Sequence, residues 1–279
     1  MTLRRSLKAL SFHLVVAGFG ILMLYPVLWL ITASMKPTTE IFTSSSLLPS
    51  TITFEHYHNG WFGLRNVWFG RFFLNSALIS AIAVFGTVLS SAMVAFAFAR
   101  ITFPLRSLFF ALMLGTIMLP GHVTLIPQYI LFHELGWVDT FLPLTVPKFF
   151  GDAFYIFLMV QFIRGIPTEL DESARIDGCG WFTLWWRIIL PLSLPALLTA
   201  AIFTFIGTWD DFFGQLIYLS DIKKLTVPLG LRLFLDSSGS SNWGAVLAMS
   251  VLSLVPSMAI FFIGQKYFTQ GIATTGLKG

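Results

Sequence analysis

The sequence predicts an all-α membrane protein, and two observations lead to this class. Of the 279 residues, 56% are apolar and only 11% are charged, whereas an ordinary globular protein carries about 25% charged residues. The apolar residues form runs of about 20 residues or more, the length that crosses about 30 Å of hydrocarbon. Hydrocarbon offers the backbone no hydrogen-bond partners and the runs are too long for barrel strands, so each is predicted to be a transmembrane helix.

Six such runs divide the chain and are numbered as spans one to six. Their predicted bounds are Phe12–Ile31, Phe73–Ala99, Ser107–Phe132, Phe141–Ile163, Leu194–Leu219 and Gly244–Phe268. The first run is too long for the apolar part of a secretory signal, and no small-residue cleavage pattern follows it, so it is predicted to remain as a span. Residues 1–279 are predicted to form one transmembrane domain, with a polar loop at residues 164–193 between spans four and five.

The distribution of Lys and Arg predicts the orientation, because these residues are enriched in the short cytoplasmic loops of membrane proteins. With the N-terminus inside, ten of the 17 Lys and Arg residues lie on the inner side. Arg100 and Arg106 bracket the inner turn between spans two and three, whereas the outer turn His133–Thr140 has neither residue type. Both termini and the polar loop are therefore predicted to be cytoplasmic.

The composition also argues against several functions. The net charge of +4 follows from this topology, and the chain has no basic face with interleaved aromatic residues of the kind that binds nucleic acid. Its five histidines lack the spacing of metal ligands. It has no G-x-x-x-x-G-K-[ST] segment to cradle phosphates. We therefore expect no nucleic-acid partner, no metal site and no cofactor on this chain.

Small residues lie at helical spacing in span two, at Ser91, Ala95 and Ala99, with Gly86 and Ser90 alongside. Small side chains let two membrane helices approach closely. Two interpretations stay open: this face packs within the chain, which is the favoured one, or it forms a seam with a second membrane subunit.

Polar residues interrupt spans three and five. Pro120 and Gly121 are expected to break the hydrogen-bond ladder of span three. The neighbouring His122 either bonds a freed carbonyl group or contacts a ligand. A carboxylate at mid-bilayer costs on the order of 3 kcal/mol, so the polar residues of span five either pack and anchor the helix or line a translocation path. These residues are Trp209, Asp210, Asp211 and Gln215.

The polar loop is predicted to form a helix, a turn and a second helix. Thr168 is a good N-cap residue, and three acids follow it in the first turn, where the helix dipole favours anions. Gly178 is expected to cap the C-terminus of this helix, and Gly180 to allow a second bend. The second helix is expected over Trp181–Ile189, with Pro191 ending it.

The compositions of the two predicted loop helices suit different surroundings. The second contains Trp181, Trp185 and Trp186 with only Arg187 charged, so part of it is expected in the headgroup layer of the membrane. The first is acidic and ends in a tight glycine turn, a composition suited to docking into a groove on a soluble partner.

One set of residues in this loop has a specific spacing: Glu172, Ser173, Ala174, Gly178, Ile188, Leu190 and Pro191. In this order they resemble the "EAA" loop of permease subunits in binding-protein-dependent ABC importers, with Ser173 in the place of the usual second alanine. Similar segments cover nearly the whole chain: SMKP after span one, FLNSALIS opening span two, MLPGHVTLIPQYILF in span three and GLKG at the end. The chain looks like the carbohydrate-uptake branch, in particular its shorter, maltose-transporter-type permease subunit.

The resemblance implies that the polar loop is a coupling helix seated in a cleft on a cytoplasmic ATPase subunit. It places coupling on the motif residues, with Arg175 and Asp177 as flanking contacts and residues 271–279 as a weaker one. The implied partners are a homologous second permease subunit, two cytoplasmic ATPase subunits, an extracytoplasmic solute-binding protein, a carbohydrate and the lipid bilayer. ATP and Mg²⁺ are expected on the ATPase. In such transporters the sugar can be held mostly by the partner permease.

The predicted function is that of a permease subunit, not an enzyme, of an ATP-driven carbohydrate importer in a bacterial or archaeal plasma (inner) membrane. Two other classes stay open. An ion-coupled secondary transporter or channel would transport by itself. An intramembrane enzyme would use His122 with Asp210 and Asp211, which must then lie within hydrogen-bond reach of one another, and it leaves the polar loop unexplained.

Overall fold

The computed structural model describes residues 2–64, 67–235 and 241–275, and the regular structure within these ranges is entirely helical. The first helices are α1 (Thr2–Ala33), α2 (Glu55–Phe62), α3 (Phe69–Arg100), α4 (Arg106–Ile117), α5 (Gly121–Glu134), α6 (Leu142–Thr145) and α7 (Ala153–Arg164). The remaining ones are α8 (Glu169–Ile176), α9 (Trp181–Leu184), α10 (Leu190–Leu192), α11 (Leu194–Trp209), α12 (Phe213–Tyr218), α13 (Val227–Arg232) and α14 (Trp243–Thr275). Short 3₁₀ segments occupy Val146–Phe150 and Ile222–Lys224, and a π-helical turn occupies Trp185–Ile189.

Long apolar helices confirm the predicted class of an all-α membrane protein. Four helical stretches within the described residues are long and apolar enough to cross a membrane: Leu10–Ala33, Phe69–Arg100, Leu142–Arg164 and Trp243–Lys266. A fifth crossing is available if Trp181–Leu192 and Leu194–Trp209, which meet at an angle of 76°, are counted together. The prediction of six spans stays a prediction, because the third apolar run gives only short helices.

Span three is broken where its sequence predicts a break. Helix α4 ends at Ile117, and α5 begins at Gly121 with Pro120 at its N-cap position. Proline has no N–H to donate to the preceding turn and its ring crowds the carbonyl four residues earlier, which favours a break at this position. Pro120 takes the extended conformation (φ −61°, ψ 127°) that starts a new helix instead.

The predicted fifth span, Leu194–Leu219, is not one helix, which corrects the sequence interpretation. Helix α11 ends at Trp209, and α12 starts four residues later at Phe213. The Oδ1 atom of Asp211 accepts a hydrogen bond of 2.9 Å from the backbone N–H of Gly214. Short polar side chains of this kind compete with the helical hydrogen bonds of the backbone, and this bond stabilises the break.

The chain folds into two compact units, residues 1–70 with 230–255 and residues 71–229 with 256–279. In the first unit, the segment after α1 is fixed by polar contacts. Lys36 is fully buried and its Nζ atom donates to the carbonyl oxygen of Ser46 at 2.5 Å, which supplies a partner that a buried ammonium group needs. The carbonyl oxygen of Lys36 contacts His56 Nε2 at 2.8 Å.

In the second unit, the small residues of α3 pack within this chain, as the favoured interpretation predicts. Ser91 and Ala95 are fully buried. A Cβ atom added to Gly86 would lie 2.7 Å from the ring of Phe149, and the hydroxyl group of Ser90 contacts the carbonyl oxygen of Lys148 at 3.3 Å. The small side chains therefore serve close approach of the segment before α7.

Asp139 ties the turn between α5 and α6 to the segment after α12. Its carboxylate accepts hydrogen bonds of 2.9 Å from the backbone N–H groups of Ser220 and Asp221 and forms an ion pair of 2.7 Å with Lys224. The backbone N–H of Asp221 and the ammonium group of Lys224 lower the pKa of Asp139 to about 2. The ionised carboxylate therefore stabilises this connection.

Replacement of Asp139 with Asn is expected to lower the free energy of unfolding near neutral pH. The loss should be about 1 kcal/mol, because solvent screens a pair whose side chains are 33% and 38% exposed. A lowered carboxyl pKa contributes stability that is present above the unfolded value of 3.8 and disappears as the pH falls towards about 2. Denaturant unfolding at several pH values should therefore show the difference between variant and wild type shrinking on acidification.

The control for this experiment is Glu134→Gln, which removes an exposed carboxylate at the end of α5. We expect little change in stability from it at any pH. A difference between Asp139→Asn and wild type that grows on acidification would contradict the role given to Asp139.

Candidate coupling site

The first helix of the polar loop, α8, ends in the capping turn that its sequence predicts. Gly178 has φ +81°, a left-handed conformation that glycine adopts without steric cost. The backbone N–H of Gly178 donates to the carbonyl of Arg175 at 3.0 Å, and that of Cys179 donates to the carbonyl of Ala174 at 2.9 Å. These two bonds define a Schellman motif. The predicted role of Gly178 as a C-terminal cap is confirmed.

The start of α8 differs from the prediction in one detail. Thr168 occupies the N-cap position but has helical dihedral angles (φ −73°, ψ −19°), and its side chain caps no backbone N–H. Capping by a threonine hydroxyl requires the extended conformation that Thr168 does not take. The acids Glu169, Asp171 and Glu172 in the first turn instead complement the positive end of the helix dipole.

The second helix of the loop continues through Pro191, which corrects the prediction that Pro191 ends it. Helical structure runs from Trp181 to Leu192 and contains the π-helical turn Trp185–Ile189. In that turn the N–H of Leu190 donates to the carbonyl of Trp185, five residues earlier. A proline ring collides with the carbonyl four residues before it in a regular α-helix, and the wider π turn accommodates Pro191.

One face of the loop is buried in a hydrophobic cluster of the second unit. The loop's buried members are Ile166, Ala174, Leu184, Trp185 and Ile189. They share the cluster with side chains of α3, α7 and α11, including Ala92, Ala95, Phe96, Met159, Val160, Ile163, Ala196 and Ala200. Because interiors of this kind are close-packed, the loop and the three membrane helices hold one another in fixed positions.

A buried ion pair also fixes α8 to the end of α3. Arg100 Nε lies 2.7 Å from Asp171 Oδ2, with side chains that are 6% and 12% exposed. Arg100 Nη2 additionally donates to the carbonyl oxygen of Ile166 at 2.7 Å. Burial raises the pKa of the Asp171 carboxyl, and the guanidinium groups of Arg100 and Arg175 counteract this rise. One arginine therefore holds both the helix and the turn that leads into it.

The opposite face of α8 is exposed and carries both charge and apolar surface. Glu172, Ser173, Asp177 and Gly178 are all exposed, and Ile176 is 86% exposed. This face of α8 therefore combines exposed acids with one exposed apolar side chain.

The exposed face of α8 is linked to the second helix by a cation–π contact. The guanidinium carbon of Arg175 lies 4.2 Å from the centre of a ring of Trp181, a distance at which the ring attracts the cation. Arg175 is exposed, so this stacking fixes its charge at the edge of the exposed face.

The structure divides the predicted coupling residues into two groups. Glu172, Ser173, Arg175, Asp177, Gly178 and Pro191 are exposed, whereas Ala174 is buried and Ile188 and Leu190 are half-buried against the cluster. Sequence analysis missed Ile176, which is exposed, and the Arg100–Asp171 pair. An isoleucine on the acidic face of a short helix was a usable signal for Ile176. The pairing of residues 71 positions apart has no local signal.

Two of the predicted substrate-path residues, Asp211 and Gln215, line one cavity of about 310 Å³ in the second unit. Gln215 is buried, and its side-chain amide donates to the carbonyl oxygen of Thr208 at 2.8 Å. The break between α11 and α12 brings both residues to the cavity. Its other lining residues include Thr87, Gln128, Phe132, Lys148, Asp152 and Tyr218.

The remaining predicted substrate-path residues lie elsewhere. Trp209 is buried and packs against the rings of Phe205 and Phe73, with centroids 5.5 and 5.6 Å away. Asp210 is exposed and is not among the lining residues of the cavity. The side chain of His122 lies outside the described part of the chain. The predicted set is therefore only partly gathered in one place.

The helices and the loop packed against them define a multi-helix membrane protein with an exposed polar loop. The family model described as "Binding-protein-dependent transport system inner membrane component" matches residues 9–274, so the chain belongs to this family. It is 35% identical to the probable ABC transporter permease protein YurM of Bacillus subtilis over 91% of this chain and 84% of that protein.

Further relatives agree in length as well as in sequence. The arabinooligosaccharides transport system permease protein AraQ of Halalkalibacterium halodurans is 34% identical over 99% of both chains. The sn-glycerol-3-phosphate transport system permease protein UgpE of Brucella melitensis is 32% identical over 98% of both. Because these relatives are transport permeases, the chain is a permease subunit and not an enzyme.

A solved structure has the same fold. A chain of a bacterial ABC transporter involved in the import of the acidic polysaccharide alginate superposes with a TM-score of 0.83, at 21% sequence identity, over 94% of this chain and 96% of that one. At this level of identity the match establishes the fold. The fold belongs to a chain of an ABC transporter, in agreement with the family.

The Arg100–Asp171 pair is expected to show strong energetic coupling in a double-mutant cycle. Arg100→Met and Asp171→Leu should each lower the free energy of unfolding by about 3 kcal/mol, because each leaves a buried charge without its partner. The double variant should lose less than the sum of the two. Denaturant titration of the purified chain in detergent, followed by circular dichroism, measures all three losses.

The matched control is the same cycle on the exposed Asp139–Lys224 pair, whose N–O distance is also 2.7 Å. Its coupling energy should stay below about 1 kcal/mol. Additive losses at Arg100 and Asp171 would show that the buried pair is not what anchors α8.

Proposed function

We propose that this chain is a transmembrane permease subunit of an ATP-driven importer for a carbohydrate or carbohydrate derivative. In this function, ATP hydrolysis in partner subunits drives a change between inward-facing and outward-facing states of the membrane helices. The observation that carries the proposal is the exposed acidic and apolar face of α8, held to α3 by a buried ion pair and a shared core. A force applied to that face reaches the membrane helices directly.

The proposed partners follow from the polar loop. An ATPase subunit receives the exposed face of α8, with Glu172, Asp177 and the Gly178 turn as contacts and Ile176 as the apolar anchor. The other members of the assembly are a second permease subunit, a second ATPase subunit and an extracytoplasmic solute-binding protein. ATP and Mg²⁺ bind to the ATPase subunits, and this chain supplies no group to the chemistry of hydrolysis.

The proposed orientation places both termini, the polar loop and the Arg100–Asp171 pair in or near the cytoplasm. Arg100, Arg106 and Arg164 all lie at ends of helices on the side of the loop, which the positive-inside rule favours for the cytoplasm. The proposed architecture has six membrane crossings in a single permease domain, with the α4–α5 pair supplying one crossing.

Two observations support a carbohydrate as the substrate class. The relatives named above are permeases for arabinooligosaccharides and for sn-glycerol-3-phosphate, both rich in hydroxyl groups. In addition, the 310 Å³ cavity presents acid, amide and hydroxyl groups beside aromatic rings, the side chains that bind sugars. We propose that Asp211 and Gln215 line this chain's part of the translocation path, and that Trp209 and Asp210 serve helix packing and anchoring.

Gly178→Val tests the coupling role of the turn after α8. A β-branched residue at φ +81° costs about 2 kcal/mol of backbone strain, although a Cβ atom at this position meets no neighbouring atom within 4 Å. We expect ATP-driven uptake by the assembled transporter, and co-purification of the ATPase, to fall about tenfold or more. The amount of chain inserted in the membrane should not change.

Gly180→Val is the matched control. A Cβ atom at Gly180 also meets nothing within 4 Å, but Gly180 has φ −73°, which any residue adopts. Uptake should stay near the wild-type level. Equal uptake by both variants, or uptake by this chain without an ATPase, would count against the proposed function.

Glu172→Lys tests the charge of the docking face. Reversing an exposed charge at a protein interface disturbs association more than folding, so we expect weaker ATPase association and slower uptake. The substrate concentration that gives half-maximal uptake should not change. Glu134→Lys, the same reversal at an exposed site at the end of α5, is the control. If Glu172→Lys changed only the substrate concentration for half-maximal uptake, Glu172 would belong to substrate binding instead.

A further inference from the structure

We propose that a second cavity, between α4 and the end of α7, binds the phosphate headgroup of an anionic phospholipid. The cavity has a volume of about 390 Å³. Its lining contains two guanidinium groups and no carboxylate: Arg106, Ser107, Phe110, Ala111, Leu114 and Arg164. Nothing in the coupling role of the polar loop uses this cavity.

Both guanidinium groups are held in place without a carboxylate partner. Arg164 lies over the ring of Phe110, with its guanidinium carbon 5.5 Å from the ring centre. Arg106 donates through Nη2 to the carbonyl oxygen of Phe98. The ion pairs that the described residues form involve Arg100 and Lys224, so both cations at the cavity keep donors free for an external anion.

The backbone adds to the positive potential at the same point. Helix α4 is 12 residues long and starts at Arg106, and no side chain caps its N-terminus. Leu105 precedes it with φ +59°. The backbone N–H of Arg106 donates to the carbonyl oxygen of Phe103 at 3.4 Å. The positive end of the helix dipole at this helix start attracts phosphate. Two arginines and a helix N-terminus therefore converge on one site.

The apolar part of the lining favours a lipid over free phosphate. Phe110, Ala111 and Leu114 follow Arg106 along α4, so the cavity changes from cationic to apolar within about two helical turns. A phospholipid has its chemical groups in the matching order, because its anionic headgroup is followed by apolar acyl chains. Basic pockets between membrane helices on the cytoplasmic side are known to bind such headgroups.

The assignment of the lipid to one leaflet rests on the membrane orientation given under the proposed function. Arg164 lies five residues before the start of α8, so the cavity opens on the same side as the coupling site. A cytoplasmic coupling site therefore places the bound lipid in the inner leaflet. The binding itself requires neither ATP nor an ATPase.

Native mass spectrometry of the purified, delipidated full-length chain, titrated with phosphatidylglycerol, tests the proposal. Arg164 is exposed and its guanidinium group lies over the ring of Phe110, so Arg164→Gln should fold normally. We expect this variant to bind phosphatidylglycerol about fivefold more weakly than the wild type. The affinity of Arg164→Lys should lie between those of Arg164→Gln and the wild type. Arg106→Gln combined with Arg164→Gln should weaken binding further. Arg187→Gln, which removes an exposed arginine of the polar loop outside the cavity, should bind like the wild type.

Further titrations distinguish an anionic lipid from other ligands. Phosphatidylcholine should bind the wild type more weakly than phosphatidylglycerol, and inorganic phosphate at the same concentration should not displace the lipid. Equal binding of phosphatidylglycerol by wild type and Arg164→Gln would overturn the site, and displacement by inorganic phosphate would overturn the lipid assignment. Loss of ATPase association in Arg164→Gln with unchanged lipid binding would assign the cavity to a protein partner. Because lipid binding is measured on the chain alone, its failure leaves the proposed transport function standing.

Discussion

The buried ion pair between Arg100 and Asp171 is the contact on which the arrangement of this chain depends. It joins the end of α3, an apolar helix of 32 residues, to the short helix α8 of the polar loop. The pair lies next to the cluster that packs Ala174 against the membrane helices. Removing two charges from water costs several kcal/mol unless they pair well, so this geometry is specific and resists sliding. The loop and the end of α3 are therefore held together by an ion pair and by shared core contacts.

The rigidity of the loop has a second source in its own backbone. The Schellman turn at Gly178 fixes where α8 ends, and the π-helical turn before Pro191 lets the next helix continue to Leu192. A bend of 76° then leads into α11. Each of these features sets the direction in which the next segment of the chain runs, rather than adding contact area. Together they present the charged face of α8 outward while Leu184, Trp185 and Ile189 stay in the core.

Interruptions of the membrane helices have the opposite effect and create space. Pro120 separates α4 from α5, and the bond from Gly214 to Asp211 separates α11 from α12. Backbone that leaves the helical state inside a membrane protein is tolerated where it lines a cavity. The cavity that contains Asp211 and Gln215 lies at such a break. The same permease therefore contains both a firmly packed polar loop and broken membrane helices.

The sequence by itself determined the class of protein, the positions of four apolar helical stretches, the break at Pro120, the glycine cap at position 178 and the family. These features depend on composition, on local backbone chemistry or on the spacing of residues close in sequence, and all of these can be read from short segments of the chain. Only the tertiary structure decided that Arg100 pairs with Asp171, that Pro191 continues a helix and that Trp209 and Asp210 do not line the cavity that Asp211 and Gln215 line. These outcomes depend on which distant side chains meet, and the energy of burying them is not visible in any short stretch of sequence.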